Sequence, residues 1–164
     1  MVAGKMKYGI FFILLAISTG ILSCKKSTAQ QVQNNATLNQ ASNTHINVTI
    51  FVSSYPALSI AGGNAYIANA GIKGILVYRA STTVDPQFYA YERSCTYDGT
   101  TVANAKVWAQ AGAFSCRDSV CGSTFNITDG AGTVSHGPAT YALKAYKVVY
   151  DNSSTVTQIQ IVND

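Results

Sequence analysis

A chain of 164 residues has room for one domain of ordinary size once a leader and a linker are set aside. Hydrophobic residues make up 48% and charged ones only 11%, with ten Tyr, six Phe and 13 Gly, which excludes a disordered chain and argues against an all-α one. The net charge of +4 is misleading, because Lys5, Lys7, Lys25 and Lys26 all precede residue 27; the other seven of the 11 cations face all seven acids, so no cationic footprint for nucleic acid is expected.

Lys5 and Lys7 form a cationic start, and Tyr8 to Leu22 is an apolar run broken only by Gly and hydroxyl residues. It is short for a membrane span, which needs about 20 apolar residues, and suits a signal peptide. Ile21-Leu22-Ser23-Cys24 then resembles a bacterial lipobox, in which a small residue precedes the cysteine that is lipidated and becomes the mature N-terminus. The expected organisation is a signal peptide over 1–23, a lipidated Cys24 opening a flexible tether over 24–44, and one domain over 45–164. The tether is Gln, Asn, Ser, Thr and Ala without apolar periodicity, and cannot bury enough surface to offset its chain entropy. The expected location is the bacterial cell envelope outside the cytoplasm, with membrane lipid as a partner through Cys24.

Beyond the tether, Ile46, Val48, Ile50 and Val52 alternate with Asn47, Thr49 and Phe51, the period of a half-buried strand. Gly74 to Arg79 reads as a more fully buried strand, and Phe88 begins another that stops near Cys95. Val102 to Trp108 and Ala113 to Cys116 are shorter candidates. Tyr146 to Tyr150 and Val156 to Val162 flank Asp151-Asn152-Ser153-Ser154, the pattern of a hairpin. Only Ile60 to Ala70 suggests a short helix, against its paired Gly62-Gly63. Many short strands between Gly, Asp and Asn turns predict an all-β antiparallel barrel or sandwich.

Three cysteines fall in this part. Cys95 sits in Arg93-Ser94-Cys95-Thr96-Tyr97, and Cys116 and Cys121 in Cys116-Arg117-Asp118-Ser119-Val120-Cys121-Gly122-Ser123-Thr124-Phe125. Later come His136-Gly137-Pro138-Ala139 and the run through Tyr141, Leu143 and Tyr146 to Val148. In order and spacing this resembles a Rieske-like domain over roughly 46–162. That family has a C-x-H loop, a C-x-x-H-G-x-x-F loop and a Gly-Pro-Ala segment before its last hairpin. The resemblance implies a β-sandwich with an inserted two-loop cysteine subdomain, a [2Fe–2S] cluster held by two Cys and two His, and His136, Gly137 and Pro138 in a loop covering it.

This sequence departs from the pattern at the ligands themselves. Tyr97 stands at the first histidine position, Cys121 at the second, and Asp118 at the second cysteine, so the usual ligand set cannot be assembled. Three readings of the cysteines follow. Cys95 pairs with Cys116 or Cys121 as a disulfide without a metal, which an oxidising destination favours; the three cysteines and one further group hold an unusual [2Fe–2S] cluster; or they bind zinc with His136. Trp108 is expected in the core, Gly62-Gly63-Asn64 lacks the residues of a phosphate loop, and no nucleophile-base motif occurs. The leading expectation is an anchored, non-catalytic scaffold or binding module without a cofactor. Its alternative is an electron-transfer component serving a redox partner, and the partner in either case is a redox or surface protein.

Overall fold

The computed structural model describes residues 45–112, 114–151 and 158–163. The signal peptide, Cys24 and the tether lie outside the described residues, as does the turn expected at 152–154.

The described residues form ten strands: β1 (Asn47–Phe51), β2 (Asn64–Ile67), β3 (Ile75–Arg79), β4 (Phe88–Glu92), β5 (Val107–Ala109), β6 (Ser115–Asp118), β7 (Thr124–Asn126), β8 (Val134–His136), β9 (Ala145–Tyr150) and β10 (Gln158–Val162). They form a six-stranded sheet in the order β1-β10-β9-β4-β3-β2 and a four-stranded sheet in the order β5-β6-β7-β8, every pairing antiparallel. The protein is thus all-β. Strands β5 to β8 are inserted between β4 and β9; Cys95 and Cys121 lie in loops of this insertion and Cys116 in β6.

Strand β3 shows why two sheets are needed. All five of its residues are buried, and by the alternation of side chains Ile75 and Val77 enter one core while Leu76 and Tyr78 enter another. The first core lies on one side of the larger sheet and contains Ile50, Phe88, Tyr146, Ile159, Ile161 and Leu58, the last supplied by a 3₁₀ turn over Pro56–Ser59. The second lies toward the smaller sheet and contains Tyr91, Val107, Phe125, Ile127 and Leu143, together with Cys95 and Cys116. Each large side chain fully buried here contributes roughly 1.5–3 kcal/mol.

Two sequence expectations are corrected. No helix forms over Ile60–Ala70. Gly62 takes a φ of +84° in a turn whose amides bond Arg79 and Ile60, and the chain then enters β2, with Ala65 and Ile67 turned into the core. Strand over Val102–Trp108 is confined to β5, because the Asp98 carbonyl draws the amides of Thr101 and Val102 into successive turns.

Candidate functional site

The first cysteine loop leaves β4 at a buried anchor. Glu92, 1% exposed, accepts four hydrogen bonds: from the amides of Ile72 (2.7 Å), Lys73 (3.0 Å) and Ser94 (2.9 Å), and from the Tyr146 hydroxyl (2.8 Å). The ends of the excursion pair through Val107 N–H to Arg93 O and a bridge between Ser94 and Lys106. Between them Gly99 N–H bonds Cys95 O at 2.8 Å, so the chain folds over Cys95 and buries both Cys95 and Asp98.

The second loop is closed by an aspartate. Asp118, at the end of β6, accepts the amides of Val120 (2.8 Å) and Cys121 (2.7 Å) on Oδ1, while its own amide bonds Ser123 O. Gly122 takes a φ of +77°, completing the reversal that turns Cys121 back over the strand. Ser119 docks the loop on the first one by donating its hydroxyl to Asn104 O (3.0 Å) and its amide to Lys106 O (3.3 Å).

The two loops bring Cys95, Asp98, Asp118 and Cys121 together, one donor atom from each lying within 4.8 Å of the others. Cys95 Sγ stands 3.6 Å from Cys121 Sγ, and Ser123 Oγ lies 3.0 Å from Cys121 Sγ. Hydrogen bonds from Cys95 and Ser123 hold the Cys121 thiol below its ordinary range, against its partial burial. The hydrogen bond to Cys121 and burial push the Cys95 thiol up. Lys73, its Nζ donating to the carbonyls of Val102 and Ala105, is attracted by both aspartates.

The expected disulfide is corrected by these distances. All three cysteines are free thiols, and 3.6 Å is well beyond a sulfur–sulfur bond of about 2.05 Å. Cys116 belongs to neither loop tip. It lies in β6 opposite Phe125, fully buried in the second core, and burial pushes its thiol up to about 12. His136 is exposed at the end of β8 and is not in the group of four, so the expected zinc set of three cysteines and His136 is not brought together. Tyr97 is half-buried and packs on the second core. Gly137 and Pro138 are exposed, and the segment that follows them touches both loops: Ala139 N–H donates to Ser123 Oγ (2.9 Å), and Thr96 Oγ1 donates to Tyr141 O (2.7 Å).

The geometry decides whether a [2Fe–2S] cluster fits. Such a cluster needs two donors on each of two irons, and donors on different irons stand on opposite sides of a diamond-shaped core. The 3.6 Å between Cys95 and Cys121 suits two sulfurs on one iron, but all four donor atoms lie within 4.8 Å of one another, too close for any two of them to stand across that core, and no histidine belongs to the group. These residues do not fit the cluster.

Asp98 escaped sequence reasoning, which followed the expected ligand positions. The signal was nevertheless present: Cys95-Thr96-Tyr97-Asp98 and Asp118-Ser119-Val120-Cys121 are the same spacing in opposite order. Trp108 is also corrected, being 45% exposed. It points away from the core because Val107 takes the inward position of β5, and its ring instead lies 4.0 Å from the Arg93 guanidinium and edge-on to Tyr66.

A reactivity order follows. In reduced, metal-free protein at about pH 8, iodoacetamide should modify Cys121 long before Cys116, which should react only on unfolding. Peptide mapping with time reads this directly, and equal rates would contradict the placement.

No family model matches this sequence, and no curated protein matches it. Solved structures do. The ferredoxin of carbazole 1,9a-dioxygenase from Nocardioides aromaticivorans IC177 is similar at a TM-score of 0.46 and 16% identity, over 73% of this chain and 99% of that one. A chain from the complex of reduced oxygenase and oxidized ferredoxin in carbazole 1,9a-dioxygenase gives 0.45 and 20%, over 70% and 99%. A structure described as an NADH-dependent nitrite reductase small subunit from Mycobacterium tuberculosis gives 0.43 and 14%, over 73% and 96%.

Proposed function

We propose that this protein is a membrane-anchored, extracytoplasmic binding module built on a Rieske-like scaffold, and that it is not a [2Fe–2S] electron carrier. The observation that carries this reading is that all four donor atoms of the cysteine–aspartate group lie within 4.8 Å of one another, where a diiron core needs ligands on opposite sides and histidines on one of them. The binding role is supported by an open groove beside the loops, where the exposed Trp108 and Val120 meet Arg117; an aromatic, an aliphatic and a cation suit a protein partner. The anchor rests on the leader and Cys24.

Two measurements test the proposal. Cys24→Ala should abolish incorporation of labelled fatty acid and block normal processing; equal labelling of the variant would remove the anchor from the account. The full chain, solubilised and purified without air, should be colourless. The reddish-brown absorption of an iron–sulfur protein would return the electron-transfer alternative to first place.

A further inference from the structure

Cys95, Asp98, Asp118 and Cys121 bring four possible metal donors together. We infer that they form a binding site for a single Zn²⁺ ion, held by two thiolates and two carboxylates. The inference rests on the reading that no diiron cluster occupies these loops.

Size is the first argument. Zinc–sulfur bonds of about 2.3 Å in a tetrahedral site put two sulfurs about 3.8 Å apart, and zinc–oxygen bonds of about 2.0–2.2 Å bring the mixed edges slightly closer. The sulfur pair stands at 3.6 Å, and all four donor atoms fall within 4.8 Å of one another, about 1 Å beyond a tetrahedral edge, so a small inward movement of the carboxylates completes the site. The second argument is an unmet demand. Asp118 is 1% exposed, and although Oδ1 accepts two amides, Oδ2 is buried without a hydrogen-bond partner. A buried carboxylate oxygen left bare is costly, and a cation among the other donors removes that cost. The third is chemistry: two soft thiolates with two hard carboxylates suit a borderline ion such as Zn²⁺ better than Ca²⁺ or Mg²⁺, which take oxygen alone.

The loops make the site without strain at the ligands. Asp118 is oriented by the Val120 and Cys121 amides, Cys121 by Ser123, and Cys95 and Asp98 by the turn closed through Gly99. Cys95, Asp98 and Asp118 are buried while Cys121 is partly exposed, which gives the ion an entry from one side. On binding, each thiol gives its proton to water and each sulfur and carboxylate oxygen donates one electron pair to the metal; nothing is oxidised or reduced. The two-minus charge of the filled site is partly balanced by Lys73 nearby.

The test uses the full chain carrying Cys24→Ser, so that the leader cysteine does not compete, reduced and stripped of metal under nitrogen. Zn²⁺ alone is titrated with the emission of Trp108, the only tryptophan, as a reporter beside the site; its neighbour Val107 pairs with Asp118. Co²⁺ then serves as a coloured probe. The expected result is one Zn²⁺ per chain, with Co²⁺ giving the intense visible bands of a tetrahedral site and a near-ultraviolet sulfur charge-transfer band. Asp98→Asn and Cys121→Ser should each weaken Zn²⁺ at least about 100-fold, with circular dichroism verifying the fold. Cys116→Ala and His136→Ala should leave affinity unchanged. Failure of the reduced, folded chain to take up Zn²⁺ overturns the zinc site and leaves the cluster-free scaffold standing. Loss of binding in Cys116→Ala or His136→Ala overturns the ligand set. Two irons per chain in place of zinc, with a reduced [2Fe–2S] signal, would overturn the scaffold reading as well.

Discussion

Glu92→Ala should destabilise the domain by about 3–5 kcal/mol, the cost of removing one partner from a buried, charge-assisted network. The carboxylate joins three parts of the chain: the 71–73 turn through two amides, the start of the first cysteine loop through Ser94, and β9 through Tyr146. Alanine leaves four donors without their acceptor around a largely buried gap. Tyr146→Phe removes only one of the four and should cost about 1 kcal/mol. Denaturant midpoints of the two variants check this, and near-equal effects would show that Glu92 does not organise the loop.

Gly99→Ala should cost roughly 3 kcal/mol and open the first loop. A Cβ there would lie 2.3 Å from Ser94 Oγ, 2.4 Å from Cys95 O and 2.7 Å from Cys95 N. Two of those atoms are backbone, and both belong to the residue that must reach Cys121, so relief comes only by moving Cys95. The control is Gly112→Ala, where nothing lies within 4 Å and the cost is the strain of a φ of +66°, about 1 kcal/mol. Gly99→Ala should also separate the loops, read as faster alkylation of Cys95. A Gly99 variant as stable as the Gly112 control would contradict the loop geometry.

The larger sheet was legible because its strands follow simple rules of burial. β1 alternates, and β3 is apolar from Ile75 to Tyr78 because it is covered on both faces. β7 and β8 were not legible: Thr124-Phe125-Asn126 and Val134-Ser135-His136 offer one apolar residue each, and they are strands only because β6 lies beside β7 and β7 beside β8. β2 was hidden by the glycine turn that introduces it. At the site, Cys95, Cys121 and Asp118 were visible by position, while Asp98 became visible only when the turn through Gly99 folded it onto them. The expected disulfide came from the destination of the chain rather than from its geometry, and spacing alone could not tell a 3.6 Å contact between thiols from a bond. Trp108 was misplaced because residue type was weighed above its register in a three-residue strand, where Val107 holds the inward position.

These two loops carry cysteines and carboxylates arranged for something smaller than a diiron core. The most direct test is iron analysis with low-temperature EPR of the full chain, solubilised, purified without air and reduced with dithionite. The expected result is far less than one iron per chain and no [2Fe–2S] signal, with Cys95→Ser giving the same featureless spectrum. About two irons per chain, with a signal that disappears in Cys95→Ser, would contradict it.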